Sequence, residues 1–105
     1  MKLPEIEDLL PEHHGDLEIS DIVHFFHQCT IDEVESKIYL EPYYAVTCFE
    51  NVGIAGMKFY APAVASYIKS IKRDESYEDL LGRFLYCFHM RGVPETQLRK
   101  WGLIY

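Results

Sequence analysis

Positive charge is nearly missing from the first half of this chain. Between residues 1 and 52 only Lys2 and Lys37 face twelve acids, whereas residues 53–105 carry five acids and eight bases, so the halves stand at −10 and +3. Other absences narrow the choices. No apolar run approaches the ~20 residues of a membrane span, and Met1 to Asp8 turns acidic where a secretory signal should become apolar. The three cysteines, Cys29, Cys48 and Cys87, are odd in number with no close pair, which argues against a disulfide framework and for a reducing compartment. A cytoplasmic protein without a membrane segment is the expectation.

Catalytic signatures are missing too. Gly53-Ile54-Ala55-Gly56 lacks the spacing and the Lys-Ser/Thr ending of a phosphate loop, so nucleotide binding has no support. Carboxylates are plentiful, but none sits in a recognisable setting that would push two pKa values apart for acid and base work. A net charge of −7 repels phosphate and disfavours nucleic acid, although Lys69, Lys72, Arg73, Arg83, Arg91, Arg99 and Lys100 could form a local basic patch. No enzyme activity and no cofactor is expected.

What remains is an ordinary globular composition: 105 residues, 49% apolar and 26% charged, with eight tyrosines and six phenylalanines. Such a length makes one domain, 1–105, able to bury roughly 60–68% of its unfolded surface. Residues 1–15 hold Pro4 and Pro11 without regular apolar spacing and read as a loosely packed N-terminal arm, extended or a single turn. From Asp16, the positions Leu17, Ile19, Ile22, Val23, Phe26 and Cys29 recur at helical spacing, with acids early, where a helix N-terminus favours them. Thr30-Ile31-Asp32-Glu33 is a capping box that starts a second helix, in which Val34 and Ile38 face inward and Glu33 can pair with Lys37.

That helix should stop before Pro42, itself a suitable first residue for the next. Tyr43–Phe49 is apolar on every side and reads as a buried helix; its aromatic and β-branched residues also suit a strand. Gly53 and Gly56 break the pattern and permit a tight turn or a close backbone approach. Met57–Tyr60 then forms one turn, and Pro62 opens a helix through Val64, Tyr67, Ile68 and Ile71. Ser76 caps a helix that buries Leu80, Leu81, Phe84, Leu85 and Phe88 and ends at Gly92, and Pro94 starts a short last one with Leu98 and Trp101. The fold expected is mainly α, a compact single-domain bundle of about five or six short helices; the alternative is α+β with a small sheet from residues 38–49.

His24 and His27 lie at i,i+3, with His13, His14, Asp21 and Cys29 close in sequence, so a zinc site is conceivable. A zinc protease helix uses i,i+4 spacing with a glutamate, and Phe25 and Phe26 fill the interval here, so half-buried or surface histidines are the better reading and no metal is expected. Cys29 near His27 and Cys87 near His89 are the local hints of a thiol nucleophile, but both cysteines fall near apolar helix faces, where an inert core role is favoured.

The acidic half thus carries the functional reading. If Asp16, Glu18, Asp21, Asp32, Glu33 and Glu35 converge with Tyr39, Tyr43 and Tyr44 exposed among them, they imitate a nucleic acid backbone and supply aromatic anchors for a cationic cleft. Size, acidity and helical layout resemble the immunity proteins with which bacteria neutralise their own nuclease toxins. Phe49-Glu50-Asn51-Val52-Gly53-Ile54-Ala55-Gly56-Met57-Lys58-Phe59-Tyr60-Ala61-Pro62-Ala63 also resembles a segment of small uncharacterised bacterial proteins in which a glycine, an aromatic pair and Pro-Ala recur. That block spans about a seventh of the chain and brings no catalytic residue. The resemblance implies a stoichiometric inhibitor, monomeric or weakly dimeric, that occludes a cognate basic protein toxin. The alternatives are a small adaptor or regulatory domain that self-associates through complementary charge and, third, a metal protein or enzyme using His24 and His27.

Overall fold

The capping box at Thr30 forms as its spacing predicts: the Thr30 hydroxyl accepts from the Glu33 amide at 3.1 Å, and the Glu33 carboxylate accepts from the Thr30 amide at 2.9 Å. In the computed structural model, which describes residues 2–11, 19–71 and 74–104, this box opens the third of seven helices. They are α1 (Ile6–Leu9), α2 (Ile19–Phe26), α3 (Ile31–Leu40), α4 (Pro42–Asn51), α5 (Ile54–Ser70), α6 (Glu75–Met90) and α7 (Glu95–Lys100). No strand occurs among the described residues, so the fold is the mainly α bundle. No helix among them is long and apolar enough to cross a membrane.

Tyr43–Phe49 lies inside α4, which removes the alternative sheet from residues 38–49. Burial decides against its β propensity: α4 packs against α2, α3 and α6 and buries Ala45, Val46, Cys48 and Phe49, and Pro42 begins it where a missing N–H costs nothing. An aromatic chain ties the layers together. The Tyr60 ring of α5 stacks on Phe26 of α2 at 5.2 Å, Phe26 meets Phe49 of α4 edge-on at 5.1 Å, and Phe49 meets Phe84 of α6 at 5.6 Å.

Two expected boundaries are corrected. Pro62 does not open a helix; α5 runs unbroken from Ile54 through it. Its ring lies on the exposed side, and the acceptor it deprives is the carbonyl of Lys58, another exposed residue, so water can replace the lost bond while the buried face holds the helix together. Ser76 is not a cap either. Asp74 takes that role, its carboxylate accepting from the Tyr77 amide at 3.0 Å, which starts α6 earlier and leaves Ser76 inside it. The other end behaves as expected: α6 closes at Met90, and Gly92 adopts φ +82°.

The beginning of the chain is fastened by close approach. Leu9 is fully buried, its carbonyl accepts from the Gly53 amide at 3.0 Å, and α1 rests on the start of α5. Asp16–Glu18, where the first long helix was expected to begin, and residues 12–15 of the expected arm lie outside the described residues. A Cβ on Gly53 would stand 2.5 Å from the Leu10 carbonyl oxygen and 2.7 Å from that of Asp8, both backbone atoms that cannot swing aside. Gly82 is the opposite case, an exposed helix position with nothing within 4 Å. Gly53→Ala is therefore expected to lower unfolding free energy by about 2–3 kcal/mol, and Gly82→Ala to raise it by about 0.5–1 kcal/mol. Urea unfolding of dilute protein reads both, and equal effects at the two sites would refute the packing assigned to Gly53.

Candidate functional site

The exposed face of α3 follows from its periodicity. With Val34 and Ile38 buried, the residues half a turn away point outward: Asp32, Glu33, Ser36, Tyr39 and Leu40. Leu40 stands two positions, about 200°, from Ile38 and is 81% exposed. Next to it the chain turns at Glu41, itself exposed, into α4, whose Tyr43 is 45% exposed, as is Tyr39. The α3–α4 corner therefore carries a leucine and two tyrosines in the open, with acids on the adjoining face.

Tyr67 of α5 supports this corner from below. Its ring meets Tyr39 edge-on at 4.9 Å, and burial raises its phenol pKa, with smaller contributions from Tyr39, Tyr43 and Asp74. Glu33 is held below the ordinary carboxylate range by its hydrogen bond with the Thr30 backbone, then by the Thr30 side chain. Its contribution to the cap is accordingly present above the ordinary glutamate range and fades as pH falls through the lowered value.

The expected Glu33–Lys37 pair does not form. Lys37 reaches instead across to α2, where its ammonium donates to the carbonyls of Phe25 (2.8 Å) and His24 (3.4 Å) and to Cys29 Sγ (3.4 Å), over the Phe25 ring at 5.3 Å. Positive charge is favourable beside helix-end carbonyls, whereas an exposed ion pair with Glu33 would contribute little. Among the described residues no lysine or arginine forms an ion pair with Asp32, Glu33, Glu35 or Glu41. Glu50 differs, since Arg83 holds it at 2.6 Å. Arg91 donates to the backbone carbonyls of Val52 and, at 2.7 Å, Glu50. Two bases of the second half thus serve the end of α4, so part of the charge split is answered within the chain.

Of the nine residues expected at a binding surface, Tyr39 and Tyr43 share this corner; Asp32 and Glu33 are on the same exposed face of α3 but in its first turn, about 10–12 Å along the axis from Leu40, and Glu35 is half-buried between them. Asp21 and Tyr44 belong to another side: Tyr44 is half-buried against Phe25 at 6.0 Å, and burial raises its phenol pKa, with Cys48, Asp21 and Glu41 adding to the rise. Asp16 and Glu18 lie outside the described residues. Leu40 and Glu41 were missed. The signal for Leu40 was its phase, which sets it opposite the Val34–Ile38 stripe.

His24 is exposed and His27 half-buried, and among the described residues no three His, Cys, Asp or Glu side chains gather as metal ligands; His13 and His14 lie outside them. All three cysteines are buried. Burial pushes the Cys48 thiol up to about 12 and that of Cys87 up to about 11, and Cys87 donates to the Phe49 carbonyl at 3.1 Å rather than to His89. A groove of about 460 Å³ between α5, α6 and the C-terminal tail is lined by Ile68, Tyr77, Leu81, Leu85 and Leu103 with Lys69 and Glu78, and its lining holds no thiol or imidazole. No family model, curated protein or solved structure matches this chain.

Because thiolates react and buried thiols do not, Cys48 and Cys87 are expected to resist Ellman's reagent in folded protein at neutral pH. They should react at least about a hundredfold faster in urea. Rapid labelling of either in the native state, located by mass spectrometry, would contradict the burial described.

Proposed function

We propose that this chain is a stoichiometric inhibitor that binds a basic protein through the α3–α4 corner, in the manner of a bacterial immunity protein occluding a nuclease-type toxin. The observation that carries the reading is an 81% exposed Leu40, between Tyr39 and Tyr43, beside acids that no basic side chain among the described residues pairs with. Leu40 and the tyrosines supply the apolar centre that tight binding needs, since burying one leucine is worth about 1.5–3 kcal/mol. Asp32, Glu33, Glu35 and Glu41 supply steering, which accelerates encounter with a cationic cleft and fades with salt. Inhibition then requires no chemistry from the inhibitor: the acids engage the lysines and arginines that would hold substrate phosphates, and the tyrosines close the cleft.

The partner to test is a basic protein encoded beside this chain. One equivalent should abolish its activity, and Leu40→Asp should weaken binding at least about a hundredfold, mainly through faster dissociation. Asp32→Lys with Glu33→Lys should slow association about tenfold and flatten its salt dependence. Undiminished partner activity at equimolar inhibitor, or full inhibition by the Leu40→Asp variant, would overturn the reading.

A further inference from the structure

One sulfur of this chain touches a lysine. Cys29 Sγ lies 3.4 Å from Lys37 Nζ, eight residues further on, across the turn that joins α2 to α3. Both groups are held in place. The Lys37 ammonium donates to the carbonyls of Phe25 at 2.8 Å and His24 at 3.4 Å, while the Cys29 amide donates to the Phe26 carbonyl at 3.1 Å and the Cys29 carbonyl accepts from the Tyr60 hydroxyl at 2.6 Å. Cys29 is also the least enclosed of the three cysteines, 8% exposed against 5% for Cys87 and none for Cys48. Its neighbours Gln28 and Thr30 are exposed and Lys37 is half-buried, so the pair sits at the rim of the core, within reach of a small oxidant.

We propose that Cys29 and Lys37 form an oxidant-driven modification site, at which hydrogen peroxide converts the thiol to a sulfenic acid and the lysine amine captures it as a covalent S–N link. In the first step the Cys29 sulfur attacks one peroxide oxygen. An S–O bond forms, the O–O bond breaks, and the second oxygen leaves as water with the thiol proton, so sulfur gives up two electrons and peroxide takes them. In the second step the Lys37 nitrogen, having released its third proton to solvent, attacks that sulfur. The S–N bond forms, the S–O bond breaks, and the hydroxyl departs as water with a proton from the nitrogen. The protein loses two hydrogens and the peroxide becomes two waters. Contact at 3.4 Å makes the capture intramolecular, which favours it over further oxidation of the sulfur. A disulfide does not compete, because Cys48 and Cys87 are enclosed in the core and Cys87 turns its proton to the Phe49 carbonyl at 3.1 Å. The product fastens the end of α2 to α3 through a bond and removes the Lys37 charge, and it does not depend on the function proposed above.

Mass spectrometry of the full chain after treatment with hydrogen peroxide tests this. The intact protein should become two hydrogens lighter. Cleavage after Glu33 and Glu35, which lie between the two residues, should leave the Cys29 and Lys37 peptides joined until dithiothreitol separates them. Lys37→Arg keeps the positive charge and the donors to the carbonyls but replaces the amine with a far weaker nucleophile. With helicity by circular dichroism unchanged, it should lose the link and accumulate sulfinic acid at Cys29 at least about tenfold above the native chain. Native protein in which Cys29 is oxidised while Lys37 stays free, equal linkage of Cys29 to another lysine, or a Cys29 that resists peroxide as long as Cys48 and Cys87 do would each overturn the proposal.

Discussion

The C-terminal end of α2 is the joint on which the arrangement of the other helices depends. The described part of α2 is only eight residues long, and the carbonyls that close it and the turn beyond need donors, those of Phe26 and Cys29 from within the core. Two distant side chains supply them. The Tyr60 hydroxyl of α5 shares its proton between the Phe26 and Cys29 carbonyls at 2.9 and 2.6 Å, and Lys37 of α3 reaches those of Phe25 and His24. Burial pushes the Tyr60 phenol up to about 12, so it remains a neutral donor throughout the physiological range. Gln28, at φ +62°, takes the left-handed conformation that lets the chain turn tightly from α2 toward Thr30.

That joint shapes the surface as well as the core. By drawing Lys37 inward over Phe25, it leaves Glu33 without a close ion pair, although the Lys37 charge still helps to lower the Glu33 pKa, and the acids of that face have no ion pair among the described residues. Arg83 and Arg91 act the other way at the far end of α4, where they satisfy Glu50 and two backbone carbonyls. These bases therefore go to structure, and negative charge stays unmatched where Leu40 and two tyrosines are exposed. Unmatched charge beside uncovered apolar surface is the combination that a protein interface uses.

Most of the fold was legible because it rests on local rules. The capping box at Thr30, the stop before Pro42, the stripes of α5 and α6 and the glycine end of α6 are all short-range signals. What escaped depended on tertiary context. Pro62 reads as a helix start until the exposure of its ring is known, and Ser76 reads as a cap until the Asp74 carboxylate takes the Tyr77 amide. The Glu33–Lys37 spacing is favourable in an isolated helix, yet carbonyls from another helix compete for the same ammonium. At the corner, Tyr39 and Tyr43 could be named from composition, but the difference between Tyr43 outside and Tyr44 against Phe25 is a matter of packing alone.

A double-mutant cycle on Tyr60→Phe and Lys37→Met tests the joint most directly. If both side chains hold the same helix end, losing one loosens the site at which the other acts, and urea unfolding should give a coupling energy of about 1 kcal/mol. Two losses that add to within about 0.3 kcal/mol would mean that the end of α2 is held elsewhere, and that neither the core nor the acidic face owes its arrangement to this joint.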